Sequence, residues 1–226
     1  MRTFATVDLP ERVSADPALG RLGPVLARFP LHAVHLVSAG TSQGVEEGAL
    51  LVDRSVDGGT AAFVAEVAVA DGPGIADGPA IAILAALLDL EPVAAVGTAS
   101  RPGWADHIRS VRDLLRTVRP HVGDPEAMLG AAGDGAVAQL TGVLAQAAVR
   151  RTPVLLDASA SVVAAALLAE RLAPGAAAWW IAAAAPASPA ARAGLTELGL
   201  EPLLDLGVER AGAQLALALL QAAARA

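Results

Sequence analysis

Short apolar runs alternate with longer helical patterns along this chain, and that alternation constrains the fold more than any other feature of the sequence. Apolar runs of strand length occupy residues 31–38, 61–69, 93–96, 152–156, 178–183 and 203–206. Helical spacing or helix-starting residues mark residues 16–27, 45–56, 80–88, 104–118, a short segment from 125, 136–149, 159–172, 189–198 and a last segment from about 209. Strands that alternate with helices form parallel sheets through right-handed crossovers. We therefore predict a Rossmann-like α/β fold in three layers, a mostly parallel sheet with helices on both faces.

The length of 226 residues suits one large domain, or one domain with a small appendage. Hydrophobic residues make up 54 % of the chain and aromatic residues only 3 %, so small side chains that pack closely must fill the core. Residues 1–14 predict a polar arm, and Asp16 followed by Pro17 is a typical helix start. The expected organisation is an N-terminal arm and helix at residues 1–30 and an α/β domain at residues 31–226.

Composition excludes several kinds of site and partner. The chain has no cysteine, which excludes disulfides and thiolate chemistry, and its sixteen basic residues are all arginine, which excludes lysine Schiff bases. His32 and His35 fall on opposite faces of a strand-like run, and we predict neither a metal site nor a cofactor. The net charge of −7 argues against nucleic acid as a partner. Because no apolar run has the length of a membrane span and the N-terminus lacks a signal-peptide core, we expect a cytoplasmic protein with no membrane partner.

Two stretches in the second half, residues 150–157 and 198–207, predict buried parallel strands that end at an acidic residue or a glycine turn. Ligands of open α/β sheets bind in the crevice outside the carboxyl ends of the strands. Asp157, Gly207 and Glu209 are therefore the first candidates for a functional site.

A glycine- and proline-rich loop at residues 70–79 joins a predicted strand to a predicted helix, and it contains Asp71 and Gly74. Strand, glycine-rich loop and helix form an arrangement that directs backbone N–H groups at an anion such as phosphate. Glycines also serve turns that need a positive φ, so the pattern alone does not separate the two roles. A second loop begins at Gly97 and Thr98.

Several uncommon sequence words occur together in the second half of the chain. They are Arg-Arg-Thr-Pro-Val-Leu-Leu-Asp at residues 150–157, Leu-Ala-Pro-Gly at 172–175, Leu-Gly-Leu-Glu-Pro-Leu-Leu-Asp-Leu-Gly at 198–207 and Gly-Ala at 212–213. In order and spacing these words resemble the nicotinate-nucleotide:dimethylbenzimidazole phosphoribosyltransferases, enzymes of cobalamin lower-ligand assembly. The similarity begins at about Gly142 and thins upstream. It implies a shortened, divergent member of that family.

The resemblance implies transfer of phosphoribose from nicotinate mononucleotide to 5,6-dimethylbenzimidazole, which gives α-ribazole phosphate. In the family, a glutamate just beyond the last strand acts as base toward the benzimidazole, whose nitrogen displaces nicotinate at C1′ with inversion. Glu209 matches that glutamate when a short gap follows Gly207. A glutamate in the first turn of a helix is also favoured by the helix dipole and needs no other role. Asp71 matches a second acidic residue of the family, or is a plain Asp-Gly turn.

By the same resemblance, one set of residues is expected to bind substrate: Asp71, Gly74, Gly97, Thr98, His107, Asp157 and Gly207. The expected partners are two small molecules, nicotinate mononucleotide and a benzimidazole-type base. Since family members are dimers, we also expect a homodimer, or a heterodimer with a full-length relative.

Several donors of the family are replaced in this chain. Residues 76–78 are Ala-Asp-Gly where the family has Gly-Asn-Thr-Thr, His107 stands for a basic residue that is usually lysine, and residues 182–188, expected as a loop, are mostly alanine. Each lost charge-assisted hydrogen bond would cost roughly 1.5 to 3 kcal/mol. An alternative function is therefore a catalytically compromised paralogue that acts as a nucleotide-binding or partner subunit. A different α/β nucleotide binder would explain the loop at 71–78 but not the C-terminal words.

Overall fold

The computed structural model describes residues 3–8, 10, 21–39, 44–67, 77–97, 103–208 and 211–225. The helices are α1 (Gly23–Leu26), α2 (Val45–Asp57), α3 (Gly78–Leu87), α4 (Pro92–Val96), α5 (Trp104–Val118), α6 (Pro125–Ala132), α7 (Gly135–Val149), α8 (Ala160–Leu172), α9 (Pro189–Glu197) and α10 (Gly212–Ala223). The strands are β1 (Val34–Ala39), β2 (Ala62–Val67), β3 (Val154–Leu156), β4 (Trp180–Ala182), β5 (Ala184–Pro186) and β6 (Leu204–Val208). Within these ranges, no helix combines the length and apolarity that a membrane crossing requires.

The strands lie parallel, in the order β1-β2-β3-β4, with β5 and β6 forming a second parallel pair. Two backbone hydrogen bonds connect the four-stranded sheet with the β5–β6 pair. Ala183 N–H donates to the Leu156 carbonyl at 3.0 Å, and Leu203 N–H donates to the Ala182 carbonyl at 2.9 Å. The segment from β4 to β5 thus pairs first with β3 and then with β6. The predicted parallel sheet is confirmed.

Side chains alternate across the sheet and define two cores. Phe63 and Ala65 of β2 face a large core that includes α2, α3, α7 and α8, whereas Ala62 and Val64 face a smaller core that includes Leu220 of α10 and Phe29, which follows α1. Successive strand residues point to opposite faces, so helices cover the sheet on both sides. The three-layer prediction is confirmed, with unequal outer layers.

Two glycines allow α2 and α7 to touch backbone to backbone. A Cβ placed on Gly48 would lie 2.1 Å from the Gln139 carbonyl oxygen, and one on Gly142 would lie 1.9 Å from the Val45 carbonyl oxygen. At the other end of these helices, Arg150 forms ion pairs with Asp53 at 3.0 Å and with Asp57 at 2.5 Å. Small residues therefore bring the helices close, and two ion pairs join them at the other end.

The first residues contact the body of the protein more closely than a polar arm would. Val7 is buried in the large core, and Trp179 Nε1 donates to the Asp8 carbonyl at 2.6 Å. The Asp8 carboxylate also pairs with Arg151. The predicted arm thus packs on the body at Val7, whereas residues 3, 5, 6 and 8 are exposed. Of the helix predicted at residues 16–27, the described part is α1, and residues 11–20 lie outside the described ranges.

Three local predictions are wrong. Residues 93–96 are not a strand but part of α4, because Pro92 at the first helical position favours a helix start and a short apolar run does not reveal its period. Residues 184–186, expected in a loop, form β5 and are buried. Finally, β6 is not a buried strand: it lies at the sheet edge, where Leu206 is 52 % exposed.

Candidate active site

The parallel strands bring their carboxyl ends to one edge of the sheet, and the chain leaves β3 there directly into Asp157. Asp157 is only 4 % exposed, and its Oδ1 accepts a hydrogen bond from the Ala213 N–H at 3.0 Å. Ala213 is the second residue of α10. The residue before this helix, Ala211, has φ +63° and provides no side-chain cap. A carboxylate at a helix N-terminus is stabilised by the exposed N–H groups and the helix dipole. Asp157 therefore anchors the start of α10 to the end of β3.

The start of α10 also contacts the neighbouring strands closely. A Cβ on Gly212 would lie 2.8 Å from the Ala184 Cβ, so only glycine fits between helix and strand at this point. Gln214, two residues further, donates to the Glu66 carboxylate near the end of β2 at 3.0 Å. The carboxyl-terminal parts of β2 and β3 and the first residue of β5 thus meet around one helix terminus.

Gly207 and Gly97 each lie beside a side chain of the first turn of α9. Gly207 has φ +58°, and a Cβ there would be 3.4 Å from Nη2 of Arg192. Gly97 has φ +87°, and a Cβ there would lie 2.9 Å from Cγ of Pro189. Its carbonyl accepts a hydrogen bond from Trp104 Nε1 at 2.7 Å. The structure therefore brings Gly97 and Gly207, which are far apart in sequence, close to side chains of the same helical turn.

His107 lies in the first turn of α5, partly buried, and its Nδ1 atom is buried with no hydrogen-bond partner among the described residues. Burial lowers the pKa of His107 below the ordinary histidine value, and the nearby Asp77 carboxylate opposes that shift in pKa. The imidazole is therefore neutral at neutral pH. It can donate or accept a hydrogen bond, but it does not replace the fixed charge of a lysine.

Four predicted site residues, Asp71, Gly74, Thr98 and Glu209, lie outside the described residues. Among those described, Gly97, Asp157 and Gly207 lie around the carboxyl ends of the strands and the first turn of α9, and His107 lies beside the start of α3. The described part of the chain contains no cluster of three or more His, Asp or Glu side chains able to hold a metal ion.

Sequence reasoning missed Arg192. Its Nε donates to the Pro186 carbonyl at the end of β5 at 2.6 Å, and its Nη2 lies beside Gly207 of β6. One signal was present in the sequence. Arg192 is the fourth residue of a helix that begins with Ser188 as cap and Pro189, and a cation near a helix N-terminus opposes the helix dipole.

Comparison with known proteins places the chain in a family. The model of a phosphoribosyltransferase family matches residues 33–226. The chain belongs to this phosphoribosyltransferase family. The matched range includes all of the described strands, β1 to β6. The resemblance that the C-terminal sequence words indicate is confirmed.

The relatives have one name in common. The nicotinate-nucleotide–dimethylbenzimidazole phosphoribosyltransferase of Mycobacterium tuberculosis H37Rv is 42 % identical over 95 % of this chain, and the one of Mycobacterium avium 104 is 43 % identical over 95 %. The crystal structure of CobT from Thermus thermophilus superimposes with a TM-score of 0.68 at 30 % identity and covers 80 % of this chain.

The chain spans 61 to 63 % of the length of these curated relatives and 54 % of the CobT chain. The relatives are named as transferases, which supports the transferase prediction and does not favour the catalytically compromised paralogue.

Proposed function

We propose that this protein is a phosphoribosyltransferase that moves phosphoribose from nicotinate mononucleotide to 5,6-dimethylbenzimidazole, with α-ribazole phosphate and nicotinate as products. The observation that carries the proposal is the family match over residues 33–226, because that range contains the whole carboxyl edge of the sheet. The substrates follow from the name of the relatives, which are more than 40 % identical to this chain.

The chemistry requires a base but no acid. Nicotinate is joined to C1′ through a cationic pyridinium nitrogen, so it leaves with the bonding electron pair as a neutral pyridine ring. The attacking benzimidazole nitrogen forms the new bond from the opposite face of the ribose, which inverts C1′. The product is neutral at the base only when the other nitrogen loses its proton, and a carboxylate within hydrogen-bond reach can accept it.

We assign the base to Glu209. It is the residue after β6 and lies three residues before the start of α10. Support comes from the residues on either side: Pro186 pairs with Val208, and Asp157 binds Ala213, so both flanks of this short segment are held at the carboxyl edge. In this proposal Asp157 contributes by fixing α10 and, through it, the position of the base.

The remaining predicted residues would bind the nucleotide. The loops that contain Asp71 and Gly74, and Gly97 and Thr98, would surround the ribose phosphate with backbone N–H groups. Gly207 would leave room beside the last strand, and neutral His107 would offer one hydrogen bond rather than a charge.

We further propose that the protein works in the cytoplasm as a homodimer, or as a heterodimer with a full-length relative, and that residues 31–226 form its phosphoribosyltransferase domain behind an N-terminal segment of residues 1–30. Leu215 and Leu219 lie one turn apart on α10 and are 48 and 45 % exposed in the single chain. Exposed apolar side chains of this kind are expected on a helix face that a partner subunit covers. Light scattering of the purified protein, alone and mixed with a full-length relative, tests the assembly.

A turnover assay tests the reaction. Purified protein is incubated with nicotinate mononucleotide and dimethylbenzimidazole, and the riboside phosphate is measured by chromatography. Glu209→Gln should lower kcat by about 10²- to 10⁴-fold, the usual contribution of a general base. The matched control is Glu197→Gln, which changes an exposed glutamate at the far end of α9. Absence of product from the wild type at high enzyme concentration would refute the proposal, and nucleotide binding without turnover would support the compromised paralogue instead.

A further inference from the structure

We infer that Arg192 is the residue whose cation binds the 5′-phosphate of the phosphoribosyl donor, an inference that rests on the proposed function. The guanidinium lies across the ends of β5 and β6. Its Nε donates to the Pro186 carbonyl at 2.6 Å. Its Nη2 lies 3.4 Å from the position that a Cβ on residue 207 would occupy. Because residue 207 is glycine, no side chain from this position lies against Nη2.

Among the described residues, Arg192 has no acidic partner that would account for its charge. No carboxylate in that part of the chain lies within ion-pair distance of it, whereas Arg119, Arg150 and Arg151 each have an acidic partner. Its position near the N-terminus of α9 makes a positive charge unfavourable with respect to the helix dipole. The contact that it makes to a backbone carbonyl uses Nε and leaves both Nη groups as donors.

These donors suit a phosphate. A guanidinium binds phosphate oxygens with two parallel N–H groups, and its planar fork loses less freedom when it is already held at one nitrogen. The Pro186 carbonyl holds Nε in this way. The chain contains no lysine, and His107 is kept neutral by burial, so another fixed cation is needed to compensate the phosphate dianion. Among the described arginines, Arg192 is the one that lies at the ends of β5 and β6.

Calorimetric binding of two ligands tests the inference. Nicotinate mononucleotide carries the phosphate, and nicotinate riboside is the same molecule without it. Arg192→Gln should weaken binding of the mononucleotide by about 10- to 100-fold, the range for a lost charge-assisted contact, and should leave riboside binding unchanged. Arg192→Lys should recover part of the loss. Arg171→Gln is the matched control, because Arg171 also donates to a backbone carbonyl, that of Val122, but on a different part of the surface.

Two outcomes overturn the inference while leaving the proposed function in place. One is wild-type affinity of Arg192→Gln for the mononucleotide, and the other is an equal loss for mononucleotide and riboside, which would indicate a structural role through Pro186. Thermal unfolding of each variant separates such a structural loss from a local one. If the wild type binds neither ligand, the proposed function fails and the phosphate contact fails with it.

Discussion

A methyl group added at Gly142 should disrupt the contact between α2 and α7. At that point the helices touch through their backbones, and a Cβ on Gly142 would lie 1.9 Å from the Val45 carbonyl oxygen and 2.8 Å from its carbon. Both atoms belong to the first residue of α2, so no flexible side chain can move aside. Real Cβ atoms do not approach within 3.0 Å of such atoms, and α2 and α7 would have to separate by about 1 Å.

The size of the effect follows from two opposing terms. Forcing extra volume into a packed interior typically costs about 1 to 3 kcal/mol. Alanine gains at most about 1 kcal/mol over glycine through helix propensity. The separation would also strain the ion pairs of Arg150 with Asp53 and Asp57, which join the same two helices. We therefore expect Gly142→Ala to lower the free energy of unfolding by about 1 to 3 kcal/mol, which for a chain of this length lowers Tm by roughly 2 to 12 °C.

Urea unfolding followed by circular dichroism measures this difference. Gly130→Ala is the matched control, because Gly130 lies inside α6 and a Cβ there would meet nothing within 4 Å. That substitution should be neutral or stabilise by about 0.4 to 1 kcal/mol. Equal stability of Gly142→Ala and the wild type, or the same response to both substitutions, would refute the reasoning from close backbone contact.

Substitutions at two further residues test the site. Burial lowers the pKa of His107, whereas the unfolded chain titrates near pH 6.5, so the unfolded state takes up this proton first and stability from this group falls as pH drops below about 6.5. His107→Gln should make the urea midpoint of unfolding depend less on pH between pH 8 and pH 5. A pH dependence equal to that of the wild type would contradict this. Asp157→Ala removes the acceptor for the Ala213 N–H and should cost about 1 to 3 kcal/mol of stability as well as turnover. Asp157→Asn keeps an acceptor oxygen and should recover most of the stability, and equal losses in both variants would argue against an anchoring role.

The sequence was sufficient for the fold class because the period of the apolar residues is a local property. Helix α5, for example, has the bounds that its amphipathic pattern predicts, and Asp124 and Ser159 cap the helices that follow them. In a long helix, several turns repeat the same spacing of apolar residues, so the helical period is clear from the sequence. Short runs of apolar residues lack that support, which is why residues 93–96 were predicted as a strand.

Long-range contacts account for what the sequence could not predict at the site. Asp157 and Ala213 are 56 residues apart, and nothing local to either residue indicates that the carboxylate caps α10. The exposure of β6 likewise depends on its place at the sheet edge and not on its apolar sequence, since a central strand could have the same letters. Arg192 is a candidate only because Pro186 and Gly207 come together in the folded chain.

The alanines of residues 182–185 bear directly on whether the site is chemically complete. As a loop, they would represent lost donors and would argue against catalysis. In the structure they belong to the sheet or join its strands, and each is at most 8 % exposed. A polar side chain buried there would be costly without a hydrogen-bond partner. Their small size instead lets Gly212 approach Ala184, so that α10 begins against β5 beside Asp157. The lost donors that matter for catalysis are therefore those of the loops that contain Asp71 and Gly97, and we infer that Arg192 supplies a contact to the phosphate.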